Sequence, residues 1–315
     1  MSNVYKKLQK KESVAKRLQK DIRRNWILYV MLLPVFAYYI IFHYWPMYGV
    51  TLAFKDYSIK QGILGSPWVG LKHFTRFFTL YNMKDLIRNT LTLSIYSLLV
   101  GFPIPIIFAL LLNYLTKTRL KKVVQMVSYA PHFISTVVIC GMLTIFCTPD
   151  TGAFNILLER LGFESVNFLG KANLFKHIYV WSGVWQGMGW SAIIYISALA
   201  GVDYEMHEAA IIDGATKLQR MRYIDIPSIT PTIAMLLILK FGGLMDVGFE
   251  KVYLLQNDLN STASTIISTY VYEVGMVNRD YGYSTAVELF NTVINFILLV
   301  SANTASKKVM NESLF

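Results

Sequence analysis

Apolar residues gather in six runs of about 20, the length of helix that crosses a bilayer. They occupy 26–45, 89–112, 123–146, 178–199, 228–247 and 284–303. Turn residues separate them, such as Gly62, Gly65, Pro67 and Gly70 before the second run and Asn257, Asn260 and Ser261 before the last. Inside lipid every backbone N–H and C=O needs a partner within the protein, so runs of this length predict helices. Pro103 and Pro105 fall within the second run, where a kink is expected. The pattern predicts an all-α integral membrane protein with six transmembrane helices. It divides into a basic tail over 1–25, one membrane domain over 26–306 and a short tail over 307–315. No internal repeat or low-complexity tract is visible.

Charge adds an orientation. Only 16% of the 315 residues are charged, against roughly a quarter in a soluble domain. The net charge of +11 is concentrated at the start: Lys6, Lys7, Lys10, Lys11, Lys16, Arg17, Lys20, Arg23 and Arg24 all precede the first apolar run. A basic tail against an apolar segment marks a cytoplasmic N-terminus rather than a nucleic-acid site. No small-residue cleavage site follows 26–45, so this run is read as a retained helix. Lys117, Arg119, Lys121 and Lys122 between the second and third runs, and Lys307 and Lys308 after the last, place both termini inside. The basic first external loop departs from that rule, but its length weakens the rule there.

Candidate enzyme chemistry is thin. Cys140 and Cys147 share one apolar run and read as packing residues. His43, His73, His132, His177 and His207 are scattered without HExxH spacing, so no metal site is expected. GxxxxGK[ST] is missing as well, so the chain is not expected to hydrolyse ATP.

The most informative segment is polar, 203–227, between the fourth and fifth runs. Asp203 suits an N-cap with Glu205 in the first turn. Ala209 and Ala210 favour helix with little bulk. Gly214 permits a sharp bend or the close approach of another backbone. Lys217, Arg220 and Arg222 lie on a second helical stretch, and Pro227 closes the loop as the next span begins. A bent two-helix element of this kind suits docking into a protein groove, and equally an amphipathic helix lying on headgroups.

Glu208-Ala209-Ala210, three residues, Gly214, nine residues, then Ile224-Asp225-Ile226-Pro227 resembles the EAA loop of ABC importer permeases, with Ile226 where leucine is usual. Asp213-Gly214-Ala215 resembles the sugar-permease form of that loop, and Val69–Phe74 loosely resembles an element those permeases carry before the second span. Within that branch the chain most resembles polysaccharide and oligosaccharide permeases of the lipoprotein-B type, with residues 245–250 and the region near Asn303 supporting the comparison. The resemblance implies a type I ABC importer permease fold in a bacterial plasma membrane. It implies that Glu208, Ala209, Ala210, Asp213, Gly214, Ile224 and Pro227 form a coupling element seated on an ATPase subunit. The implied partners are a second permease, two ABC ATPase subunits that use ATP and Mg, an extracytoplasmic solute-binding protein, a carbohydrate substrate and membrane lipid. No cofactor on this chain is implied.

Sugars are held by aromatic faces and by a few polar groups in an otherwise apolar cavity. The substrate-path candidates are therefore Trp185, Trp190 and Tyr195 in the fourth run, Lys240 in the fifth, Asp246 at its end, and Glu288, Asn291 and Asn295 on one face of the sixth. Trp181 belongs to the same aromatic series. Tryptophans near span ends also serve as interfacial anchors. Intramembrane asparagines also join helices, and Lys240 could bind an acidic sugar or pair with a partner's carboxylate. Other readings are an ABC permease for a non-sugar solute, or an ion-driven carrier. The carrier would show intramembrane carboxylates or broken helices in matched repeats, and neither is evident.

Overall fold

The computed structural model describes residues 20–310; the basic cluster at 6–17 and the extreme C-terminal residues lie outside the described residues. Among the described residues regular structure is helical, apart from a single β-bridge between Lys55 and Trp68. In chain order the main helices are α1 (Trp26–Phe54), α2 (Lys72–Phe78), α3 (Met83–Asn113), α4 (Thr118–Phe133), α5 (Thr136–Phe146) and α6 (Ala153–Arg160). They continue as α7 (Ala172–Leu199), α8 (Tyr204–Ile212), α9 (Lys217–Gly242), α10 (Phe249–Leu255), α11 (Ile267–Tyr272) and α12 (Tyr281–Met310).

Four of these, α1, α3, α9 and α12, are long and apolar enough to cross a membrane. The bent pair α4 and α5 would make a fifth. Helix α7 has 28 residues, a length of about 42 Å, but Lys176, His177, Gln186 and its glycines and serines interrupt its apolar run, and it is not among the four. It is nonetheless the central helix, packed against both halves of α3, α4 and α9.

The third apolar run is not the continuous span that its hydropathy predicts. The chain turns by 97° between α4 and α5. Pro131 cannot donate to the helical ladder, and the backbone tightens into a 3₁₀ turn over Ala130–Phe133. Ser135 then adopts an extended conformation and caps α5, its hydroxyl accepting from Val138 N. The carbonyl of Ile134, freed at the break, accepts from Gln186 Nε2 of α7 at 3.0 Å. Irregular backbone at membrane depth is tolerated where protein groups satisfy it in this way.

Two further expectations are adjusted. Pro103 and Pro105 interrupt α3 only at Phe102, whose N–H still reaches Leu98 O, so the helix continues as one span. Pro227 does not close the loop, because α9 begins at Lys217 and passes through Pro227. A π turn over Met221–Asp225 widens the helix just before the proline. The extra residue relieves the clash that a proline ring makes with the preceding turn of a regular α-helix.

Close helix crossings depend on small residues, as expected where apolar burial gives no net drive between helices. At Gly189 of α7 a Cβ would lie 2.2 Å from the Ser128 carbonyl oxygen of α4. One apolar cluster joins Phe77, Leu86, Met245, Ile267, Tyr283 and Val287, and another joins Ala109, Leu110, Ala192, Tyr195, Leu199 and Ile229. Cys140 and Cys147 are buried free thiols, in keeping with packing roles. Helix α1 differs from the rest: nothing in its apolar window is buried, and only its C-terminal turns pack against α12.

Candidate functional site

Two regions concentrate chemistry: the 203–227 element and a cavity between α3, α7 and α9. In the first, Asp203 caps α8 by accepting from Glu205 N at 3.0 Å. The helix ends in a glycine turn, with Ala215 N bonded to Ala210 O (2.8 Å) and Gly214 N to Ile211 O (3.0 Å). Gly214 has φ +79°, and a Cβ there would meet nothing within 4 Å. Glycine is thus required for the left-handed bend and not for a close approach within this chain. Thr216 and Gln219 then form a reciprocal capping box that starts α9.

Helix α8 buries none of its residues. Glu208, Ala209, Asp213 and Gly214 are exposed and Ala210 is half-buried, whereas Ile224 is buried and faces inward. Around the charged positions lie exposed apolar side chains, Tyr204, Met206, Ile211, Leu218, Tyr223 and, most of all, Ile212 at 85%. The element meets the body at Asp225, which is fully buried. Its Oδ2 accepts from the Tyr114 hydroxyl at 2.6 Å, and its Oδ1 lies 3.2 Å from His207 Nε2 of α8, off the line of a hydrogen bond. The Arg220 guanidinium sits 5.6 Å from the centre of the Tyr114 ring. Burial, followed by the bond to Asp225, raises the Tyr114 pKa and keeps its hydroxyl protonated.

The second region is a cavity of about 960 Å³. Among the predicted path residues, Trp190, Tyr195, Lys240 and Asp246 line it, together with Gln186 and Lys251. Trp190 stacks flat on His132, with ring centroids 4.4 Å apart, which fixes the indole plane beside the break between α4 and α5. Tyr195 is largely buried in the apolar cluster behind the wall. Lys240 is exposed on the wall of this cavity rather than packed between helices.

The remaining candidates lie elsewhere. Trp185 and Trp181 face a separate apolar recess shared with Ile139, Phe146 and Phe154, and Trp181 donates to the Tyr96 hydroxyl at 2.9 Å. Asn291 and Asn295 are buried, and they act on the turn after α9. Asn291 donates to Asp246 Oδ1 (3.1 Å), and Asn295 accepts from Met245 N (2.8 Å). Glu288, on α12, does not itself line the cavity, but its carboxylate lies beside Asn291 and Asp246 at the edge of it.

Sequence reasoning missed Lys251. It sits on α10, which belongs to none of the membrane-spanning helices, and is buried with no hydrogen-bond partner for its ammonium. Burial lowers its pKa to about 8. A lysine in the first turn of a short amphipathic segment carries no sequence signal of burial.

Residues 88–311 match the family described as binding-protein-dependent transport system inner membrane component. The chain belongs to this family. Protein LplB of Bacillus subtilis (strain 168) is 44% identical over 294 residues, covering 93% of this chain and 92% of its own. The polygalacturonan/rhamnogalacturonan transport system permease protein YteP of the same organism is 42% identical, covering 97% and 95%. A solved bacterial ABC transporter involved in the import of the acidic polysaccharide alginate has a chain with TM-score 0.87 and 39% identity. The match covers 93% of this chain and 99% of that one. A second alginate ABC transporter structure, in complex with an alginate pentasaccharide-bound periplasmic protein, gives TM-score 0.87 and 38% identity, covering 95% and 100%. This permease is therefore an integral protein of a bacterial membrane with the fold of an ABC importer permease.

Proposed function

We propose that this permease forms half of the translocation path of an ATP-driven importer for oligosaccharides or polysaccharide fragments. Six spans carry the chain, with α7 and the bent α4–α5 pair completing the set and both termini in the cytoplasm. A second permease supplies the other half of the path, and a solute-binding protein delivers the sugar from outside. The chain itself catalyses no reaction and needs no cofactor; two partner ATPase subunits bind ATP and Mg and perform the hydrolysis.

The observation that carries this reading is the protruding element α8–Gly214–α9. It is capped at both helices, bent by a left-handed glycine, and exposes Ile212, Leu218 and Tyr223 around Glu208. An exposed apolar patch on a rigid projection marks a protein contact. The buried Asp225 gives that contact a mechanical route into α9, so displacement of α8 by an ATPase moves a helix of the cavity wall.

Substitution Ile212→Glu places a charge on a side chain that packs against nothing in this chain. Co-expressed with its ATPase, the variant should reach the membrane but fail to co-purify with the ATPase and fail to import. Wild-type assembly and uptake by Ile212→Glu and by Gly214→Ala would overturn the coupling role.

A further inference from the structure

Lys251 is 8% exposed and its Nζ has no hydrogen-bond partner. None of the ion pairs among the described residues includes it. The ammonium lies instead in the cavity wall, 5.3 Å from the centre of the Tyr179 ring and against the bare backbone of α7. A Cβ at Gly183 would lie 3.4 Å from Nζ, at ordinary contact distance, which places the ammonium beside the α7 backbone. Taking an ion out of water costs several kcal/mol unless an opposite charge answers it. Tyr179 answers only weakly, through its ring face.

The charge of the cavity points to the missing partner. Its charged lining residues are Lys240, Lys251 and Asp246, two cations against one carboxylate, and that carboxylate accepts from Asn291 on the side of α12 where Glu288 also lies. An anion entering this space meets one exposed cation and one that is already desolvated. The volume, about 960 Å³, suits a multi-ring solute rather than a simple ion.

We propose that Lys251 is an anion subsite of the translocation cavity, receiving the carboxylate of a uronate unit as an acidic oligosaccharide passes. This rests on the sugar-importer reading above and adds charge selectivity to it. Rotation of the flexible lysine stem toward the cavity lets Nζ exchange the Tyr179 face for a carboxylate oxygen, and Lys240 holds a neighbouring unit.

The test uses the complete transporter in proteoliposomes with its binding protein, fed trigalacturonate or its methyl ester, which removes the charge and keeps the rings. The quantity read is the ratio of kcat/KM for acid over ester. In Lys251→Met that ratio should fall about 30-fold or more, the scale for removing one partner of a buried charge pair. Lys251→Arg, which keeps the charge, should retain most of it. An unchanged ratio in Lys251→Met, or an equal loss in the methionine and arginine variants, overturns the subsite and leaves the importer reading standing. Failure of the wild type to import either saccharide overturns the importer reading and the subsite with it.

Discussion

The carboxylate of Asp225, at the foot of α9, lies 3.2 Å from the His207 ring of α8, on the far side of the glycine bend. The same carboxylate accepts from Tyr114, immediately after α3. Two helices of the 203–227 element and the distant end of α3 therefore meet at one fully buried group. The contact gives α8 one point of approach to the helical body, through the His207 ring.

Replacing Asp225 by alanine should leave the Tyr114 hydroxyl without its partner and cost about 1–3 kcal/mol. Asp225→Asn keeps an acceptor for Tyr114 and loses the charge facing His207, so it should cost less. Thermal unfolding of the purified transporter orders the two variants. Substrate-stimulated ATP hydrolysis should fall in both while the nucleotide affinity of the ATPase subunits is retained. Equal melting temperatures for wild type and Asp225→Ala would contradict the brace.

Gly189 is expected to be intolerant for a packing reason. A methyl at this position would stand 2.2 Å from a backbone oxygen of α4. Gly189→Ala must therefore push α7 from α4, at about 1–3 kcal/mol or more for overpacking. Gly187→Ala, two residues away, meets nothing within 4 Å and serves as the control. Size-exclusion profiles after graded heating should separate the two, with early aggregation for Gly189→Ala alone.

Lys251 also predicts a pH dependence of stability. Its folded-state pKa is lowered from the usual 10.5 to about 8 by burial. Folding therefore works against its protonated form. The cost is fully present below about pH 8 and is relieved as pH rises from there toward 10.5. Lys251→Met should accordingly be more stable than wild type at pH 7, by about 1–3 kcal/mol. That advantage should shrink by pH 9.5. Melting of the assembled transporter at the two pH values reads it directly, and a less stable Lys251→Met at pH 7 would refute the buried, unpaired cation.

Several features were legible in the residues because they depend on short-range chemistry. The Asp203 cap and the Gly214 bend involve partners within a few positions, and both form as expected. The apolar runs likewise appear as helices, since lipid leaves the backbone few alternatives. The span over 123–146 was not legible by hydropathy, because a window average cannot register Pro131 and Ser135. Asn291 and Asn295 illustrate another limit. Their helical spacing was visible, but spacing does not distinguish a face that lines a cavity from one that holds the turn at Met245 and Asp246.

The chain's own order of residues thus determined the membrane-spanning helical class, the bent element at 203–227 and the family signature that it carries. Tertiary structure alone decided which charges are buried. Lys240, in an apolar run, emerges exposed on a cavity, and Lys251, outside the runs, is sealed against α7. Burial is set by the sum of neighbours brought from distant segments, here Tyr179, Gly183 and Cys140 around one lysine, and no local pattern encodes that sum.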